Sequence, residues 1–169
     1  GCNYLLAVDV DINTDAGYEM SSWERGYSDF ALIPDLNTLR LITWQPGAAL
    51  ILADVAWLDH TDVVASPRQI LRKQIAELEK AGMVPMCGTE LEFVVYKDSY
   101  EEAWNKGYKD LIPVNQYNVD YSILGGSRIE PLLRDIRMGM TTAGMIVESV
   151  KGECNFGQHE IAFKYSDAL

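Results

Sequence analysis

The sequence predicts an α+β fold on three observations. Short apolar runs separated by turn residues fill the first 64 positions, a well-marked helix follows Ser66-Pro67, and that helix and a later one both end on Ala-Gly-Met and enter a strand. A small, mainly antiparallel N-terminal sheet is therefore expected over 1–64, and the start of an α/β portion over 65–169.

The elements follow in order. "YLLAVDV" (4–10) alternates in part and reads as a strand, and "DFALI" (29–33) as a short one. "TLRLITW" (38–44) and "ALILADVAW" (49–57) flank Gln45-Pro46-Gly47-Ala48, and Pro followed by Gly marks a type II turn, so these two segments are expected to form a hairpin. Ser66 as N-cap, Pro67 at the first helical position, and Leu71, Ile75 and Leu78 at helical spacing define a helix that Gly82 stops. "MCGTELEFVVY" (86–96) reads as a strand. A second helix is expected over about 128–143, with Ser127 and Glu130 at capping-box spacing. Its strand carries Glu153, and side-by-side placement of the two strands would bring Glu90 and Glu92 near Glu153. Between the units, 97–127 is a long polar, Tyr-rich stretch, longer than an ordinary connector.

Composition narrows the function classes. Charged residues at 23% and hydrophobic residues at 48% fit a globular chain and exclude disorder. A net charge of -11 disfavours nucleic acid and anionic membrane surfaces as partners, so an anionic substrate would need divalent cations or a local Arg cluster. Three separated cysteines do not form a disulfide framework, which places the expectation in a reducing, cytoplasmic compartment. The most apolar run is too short to cross a bilayer. The chain starts without Met inside an expected strand, so a fragment is expected, with sheet edges left uncovered.

The chemistry lies in the acids. Glu90 and Glu92 share one strand face about 7 Å apart, an arrangement that asks for a cation or a shared proton. Glu153 and Glu160 flank "CNFGQH", where Gly157 permits a bend that returns both to one spot, and Gln158 shares a strand face with Glu160. Four carboxylates are hard oxygen ligands suited to Mg²⁺ or Mn²⁺; the alternative is a set of solvated strand-face glutamates. Asp9, Asp11 and Asn13 begin like a calcium loop, but Thr14 and Met20 stand where Gly and Glu belong. Cys87, Cys154 and His159 lack the paired spacing of a zinc site, and His60 reads as a surface residue. No phosphate-binding glycine loop is present.

"GTELEF", "VESVKGE" and "GQHEIAFKY", in that order, resemble the glutamine synthetase family, and "SSWERGYSDFALIPDLNTLRLITW" resembles that family's N-terminal β-grasp segment. The resemblance implies a β-grasp-like domain over 1–64 and the first part of a glutamine-synthetase-type catalytic domain over 65–169. It implies an ATP-dependent ligase that joins ammonia or another amine to the γ-carboxylate of glutamate through a γ-glutamyl phosphate. Glu92, Glu153 and Glu160 would hold one metal, and Glu90 a second beside the ATP phosphates. Glu148 would contact the nucleotide and Tyr165 would line its pocket. Counting back from Ser28-Asp29 puts the family's ammonium-binding acid at Asp15, whereas counting from Trp23 gives Ala16. "SVKGECNFGQHE" is closer to branches that use larger amines. The resemblance further implies double hexameric rings for the full chain, and a fragment inactive alone; the alternative is a truncated, non-catalytic relative that assembles or binds.

Overall fold

The computed structural model describes residues 1–14 and 19–169, so Asp15 lies outside the described residues. The chain divides into two compact units, one of residues 1–40, 49–85 and 167–169, the other of 41–48 and 86–166.

The first unit holds β1 (Ala31–Pro34); the first residue of β2 (Arg40–Ile42); the end of β3 (Ala48–Leu50); β4 (Ala53–Ala56); and α1 (Pro67–Lys80). The expected strand over 4–10 is instead a 3-10 helix, Asn3–Leu6. Asn3 explains the difference. Its buried amide donates to the Met20 carbonyl at 2.9 Å and accepts from the Ser28 N–H at 3.1 Å, and this local bonding replaces a ladder. The run 49–57 also breaks in two, because the Leu52 N–H donates to the Thr38 hydroxyl. After that break β4 pairs antiparallel with β1, setting Ala31 against Ala56. The expected turn is present: Ala48 N–H closes onto the Gln45 carbonyl at 3.1 Å with Gly47 at φ +78°.

Arg68 and Arg72 stand one helical turn apart on α1 and hold Asp54 together, and Arg68 also reaches Asp35 at 2.6 Å. The Arg68 bond is the leading reason the Asp35 carboxyl is held below its ordinary range. Gly82, at φ +73°, ends α1: its N–H reaches the Glu79 carbonyl and that of Met83 the Leu78 carbonyl, a Schellman arrangement.

The second unit contains β5 (Met86–Cys87), β6 (Glu90–Val94), α2 (Tyr100–Asn105), α3 (Ile123–Ser127), α4 (Glu130–Thr142), β7 (Val147–Gly152) and β8 (Gln158–Phe163), and β9 (Ser166–Asp167) begins at its end. The sheet order is β6-β8-β7, all antiparallel. The strand of Glu90 and Glu92 therefore does not lie beside that leading to Glu153, since β8 folds back between them. The Ala-Gly-Met echo is real at the helix end: Gly144 and Met145 repeat on α4 the same two bonds that close α1. At the helix start the expectation is corrected. Ser127 is the last residue of α3 and donates to the Ile123 carbonyl, so the Ser127–Glu130 capping box does not form and Ile129 precedes α4. A complete capping box occurs instead at Ser99 and Glu102, opening α2 inside the polar stretch.

Leu91, Ile161 and Val150 form one cross-strand row, and Phe93, His159 and Gly152 the next. These point to the face on which α3 and α4 pack against β7, where Ile161 and His159 are fully buried. The other face is left for the acids.

Candidate metal centre

On that other face the register sets Glu92 opposite Glu160, and Glu160 opposite Lys151, while Glu90 sits one pleat along against Ala162. The period of two thus turns three carboxylates toward one another. Oxygens of Glu90, Glu92 and Glu160 lie within 4.8 Å of each other. Glu160 is 4% exposed, while Glu90 and Glu92 open to solvent.

Glu153 arrives from the turn. The hairpin between β7 and β8 closes through Glu153 N–H to the Gln158 carbonyl and Gln158 N–H to the Asn155 carbonyl, both at 3.0 Å, with Gly157 at φ +72°. This is the bend expected from Gly157, and it returns Glu153 to Glu160. The Lys151 ammonium bridges the two, at 2.7 Å from Glu160 and in direct contact with Glu153. Gln158 is also fixed: Asn155 donates to its amide oxygen at 2.7 Å, and its amide nitrogen donates to Glu92 at 2.5 Å.

The Lys151 bond, with a further hydrogen bond from Glu160, holds the Glu153 carboxyl below its ordinary range. Glu160 moves the other way. The Lys151 bond is the largest single influence and favours its ionised form, but burial, the Glu153 carboxyl and the Glu90 charge together outweigh it and raise its pKa. The two neighbouring carboxyls are thus shifted in opposite directions, Glu153 down and Glu160 up. Lys151 is raised, first by Glu153 and then by Glu160. A cluster of hard oxygen donors, one of them buried, fits Mg²⁺ or Mn²⁺.

The cysteine and histidine alternative is not assembled. Cys154 donates to Asp120 at 3.3 Å and clusters with Asp120 and Glu153, whereas His159 lies on the opposite sheet face against the Gly157 carbonyl. Burial lowers the His159 pKa.

The family described as the glutamine synthetase catalytic domain matches residues 64–169. The chain belongs to the glutamine synthetase family. A gamma-glutamylethanolamide synthetase of Streptomyces coelicolor is 60% identical over 169 residues, all of this chain and 37% of that protein. A glutamate–isopropylamine ligase of a Pseudomonas species is 36% identical over 167 residues, 99% of this chain and 36% of the relative. The chain thus spans little more than a third of the length of these relatives. A ligand-free GmaS structure shares the fold with a TM-score of 0.69 at 24% identity, over 83% of this chain and 32% of that one.

Two further positions drawn from the glutamine synthetase resemblance lie outside the carboxylate cluster. Glu148 is exposed in the register shift between Val147 and Ser149. Tyr165 is exposed beside Gly88, where an added Cβ would stand 3.7 Å from the tyrosine Cβ. Sequence reasoning missed Lys151 and the contact from Gln158 to Glu92. The signal for Lys151 was available, since it stands two positions before Glu153 in an expected strand and so projects to the same side.

Proposed function

We propose that the native protein is an ATP-dependent ligase that joins an amine to the γ-carboxylate of glutamate, with Glu90, Glu92, Glu153 and Glu160 as its metal-binding carboxylates. The observation that carries this reading is the cross-strand row of Glu92, Glu160 and Lys151 with Glu90 alongside, a carboxylate-rich face on a family fold. The N-terminal 1–64 is read as a β-grasp-like module and 65–169 as the first part of the catalytic domain, in support of which the family match begins at residue 64.

Bound Mg²⁺ or Mn²⁺ would supply charge neutralisation for the phosphates of ATP. The chain's own residues do the positioning. Gln158 holds the Glu92 carboxylate and Glu160 is buried, so Glu90, Glu92 and Glu160 stand within 4.8 Å of one another, while the Gly157 turn brings Glu153 to the Lys151 ammonium beside Glu160. In the reaction class proposed, the glutamate γ-carboxylate takes the terminal phosphoryl group of ATP, and the amine then displaces phosphate to leave an amide. Glu148 and Tyr165 are assigned to the nucleotide and Asp15 to the amine. The protein is read as a cytoplasmic homo-oligomer of double hexameric rings, without nucleic-acid or membrane partners. Among the described residues no helix is long and apolar enough to cross a membrane.

The amine is proposed to be a small primary alkylamine, since the two relatives above are named for a glutamylethanolamide product and for isopropylamine. The test is phosphate release from ATP by the native protein with glutamate and a panel of ammonia, ethanolamine and isopropylamine. Release dependent on glutamate and greatest with an alkylamine is expected, and Glu92→Ala should abolish it. Ammonia as the best acceptor would refute the amine assignment. Release that needs neither glutamate nor amine, or is unchanged in Glu92→Ala, would refute the ligase reading.

A further inference from the structure

We infer that Lys151 is a resident cation of the carboxylate face: it neutralises Glu153 and Glu160 in the metal-free protein and must be displaced before a divalent ion can take those two carboxylates. It is a positioning residue that sets how tightly an ion using Glu153 and Glu160 is held. The inference rests on the metal-centre reading above and concerns a residue to which that reading gives no role.

The geometry is specific. Lys151 is the direct cross-strand partner of Glu160, and the turn brings Glu153 to the same ammonium. The three side chains are largely enclosed, with 19% of Lys151, 17% of Glu153 and 6% of Glu160 exposed. The ammonium also lies 4.6 Å from the centre of the Tyr121 ring, a face that retains a cation released from the carboxylates. Glu90 and Glu92 are treated differently. Among the described residues the ion pairs of this face are both made by Lys151, and the partner that holds Glu92 is the neutral amide of Gln158.

The face is therefore electrically lopsided. Of Glu90, Glu92, Glu153 and Glu160, the last two contact the ammonium, with Asp120 within 4.8 Å of Glu153, and Glu90 and Glu92 make no ion pair among the described residues. A divalent ion entering there meets open acids. An ion that uses both Glu153 and Glu160 has to share them with a positive charge already in contact, and like charges at that range repel strongly in an enclosed site. The flexible four-carbon stem of lysine lets the ammonium swing aside, but at a cost that appears as weaker binding.

The test is Mn²⁺ binding to the native protein, followed by the electron paramagnetic resonance signal of free Mn²⁺, for wild type, Lys151→Met, Lys151→Gln and Lys151→Arg. The weaker class of sites is expected to tighten by about tenfold or more in the Met and Gln variants and to stay near wild type in the Arg variant. Lys151→Gln keeps a hydrogen-bond donor for the carboxylates, so the reading does not depend on the Met variant folding. Weaker or unchanged binding in both neutral variants, with the wild type binding normally, would overturn this inference alone and leave Lys151 a purely structural strut. No saturable Mn²⁺ binding in the wild type would overturn the metal-centre reading and this inference together.

Discussion

Gly157→Ala is the perturbation that probes most sharply how the fold builds the site. Gly157 sits at φ +72° in the turn that joins Glu153 to Glu160, and an added Cβ would stand 2.7 Å from the Val95 carbonyl oxygen and 3.0 Å from the Pro113 Cβ. Val95 cannot retreat freely, because its N–H donates to the Gly157 carbonyl and its own carbonyl accepts from Val114. The left-handed conformation costs an L-residue about 1–2 kcal/mol, and forcing a methyl against backbone adds about 1–3 kcal/mol. Gly107 supplies the control within the same unit, with φ +59° and nothing within 4 Å, so Gly107→Ala carries only the conformational part. Urea denaturation of the native protein followed by far-ultraviolet circular dichroism should therefore show Gly157→Ala less stable than Gly107→Ala by about 1–3 kcal/mol. Mn²⁺ affinity should fall in the first variant alone, because the displaced turn carries Glu153. Equal losses in the two variants, or unchanged metal binding in Gly157→Ala, would refute the argument that close backbone approach at this turn positions the acids.

Three further outcomes are expected. Ser99→Ala removes the capping box of α2 and should cost about 1 kcal/mol, read as faster amide hydrogen exchange over 100–105; unchanged exchange there would contradict it. Asp98 is held below its ordinary value of 3.8, first by the Ile112 N–H and then by the Lys106 ammonium. Because the folded pKa is the lower one, its contribution is complete above 3.8 and is lost as the pH falls through the lowered value. The acid-unfolding curve of Asp98→Asn should therefore lack that segment, and identical curves would contradict the assignment. Mn²⁺ at about a hundred times its dissociation constant should stabilise the wild type by about 2.7 kcal/mol, measured by denaturant midpoint, and Glu92→Ala should lose most of that gain.

Much of the fold was legible where the signal is local. Pro46-Gly47 fixed a turn, Ser66-Pro67 and Gly82 bounded α1 within a residue, and the repeated Ala-Gly-Met marked two identical helix ends. Period-two spacing put Glu90 and Glu92 on one strand face and Gln158 and Glu160 on another, and Gly157 announced the bend that returns Glu153. What was not legible depends on pairing between distant segments. The opening run has strand composition, but Asn3 binds Met20 and Ser28, and nothing near Asn3 announces those partners. The insertion of β8 between β6 and β7 depends on which strand returns first, which composition does not encode. The misplaced capping box has a different cause: Ser99–Glu102 and Ser127–Glu130 share one spacing, and only the turn of α3 decides that Ser127 is spent on the Ile123 carbonyl. Lys151 stands two positions before Glu153, but its contact with Glu160 depends on the pairing of β7 with β8.

One sheet face of this glutamine synthetase relative is proposed as a divalent-cation centre. Anomalous diffraction at the manganese edge, on crystals of the native protein soaked in Mn²⁺, tests it most directly. A manganese peak is expected within coordination distance of the Glu90, Glu92 and Glu160 carboxylates. Manganese bound elsewhere in the protein, with no peak on that face, would contradict it.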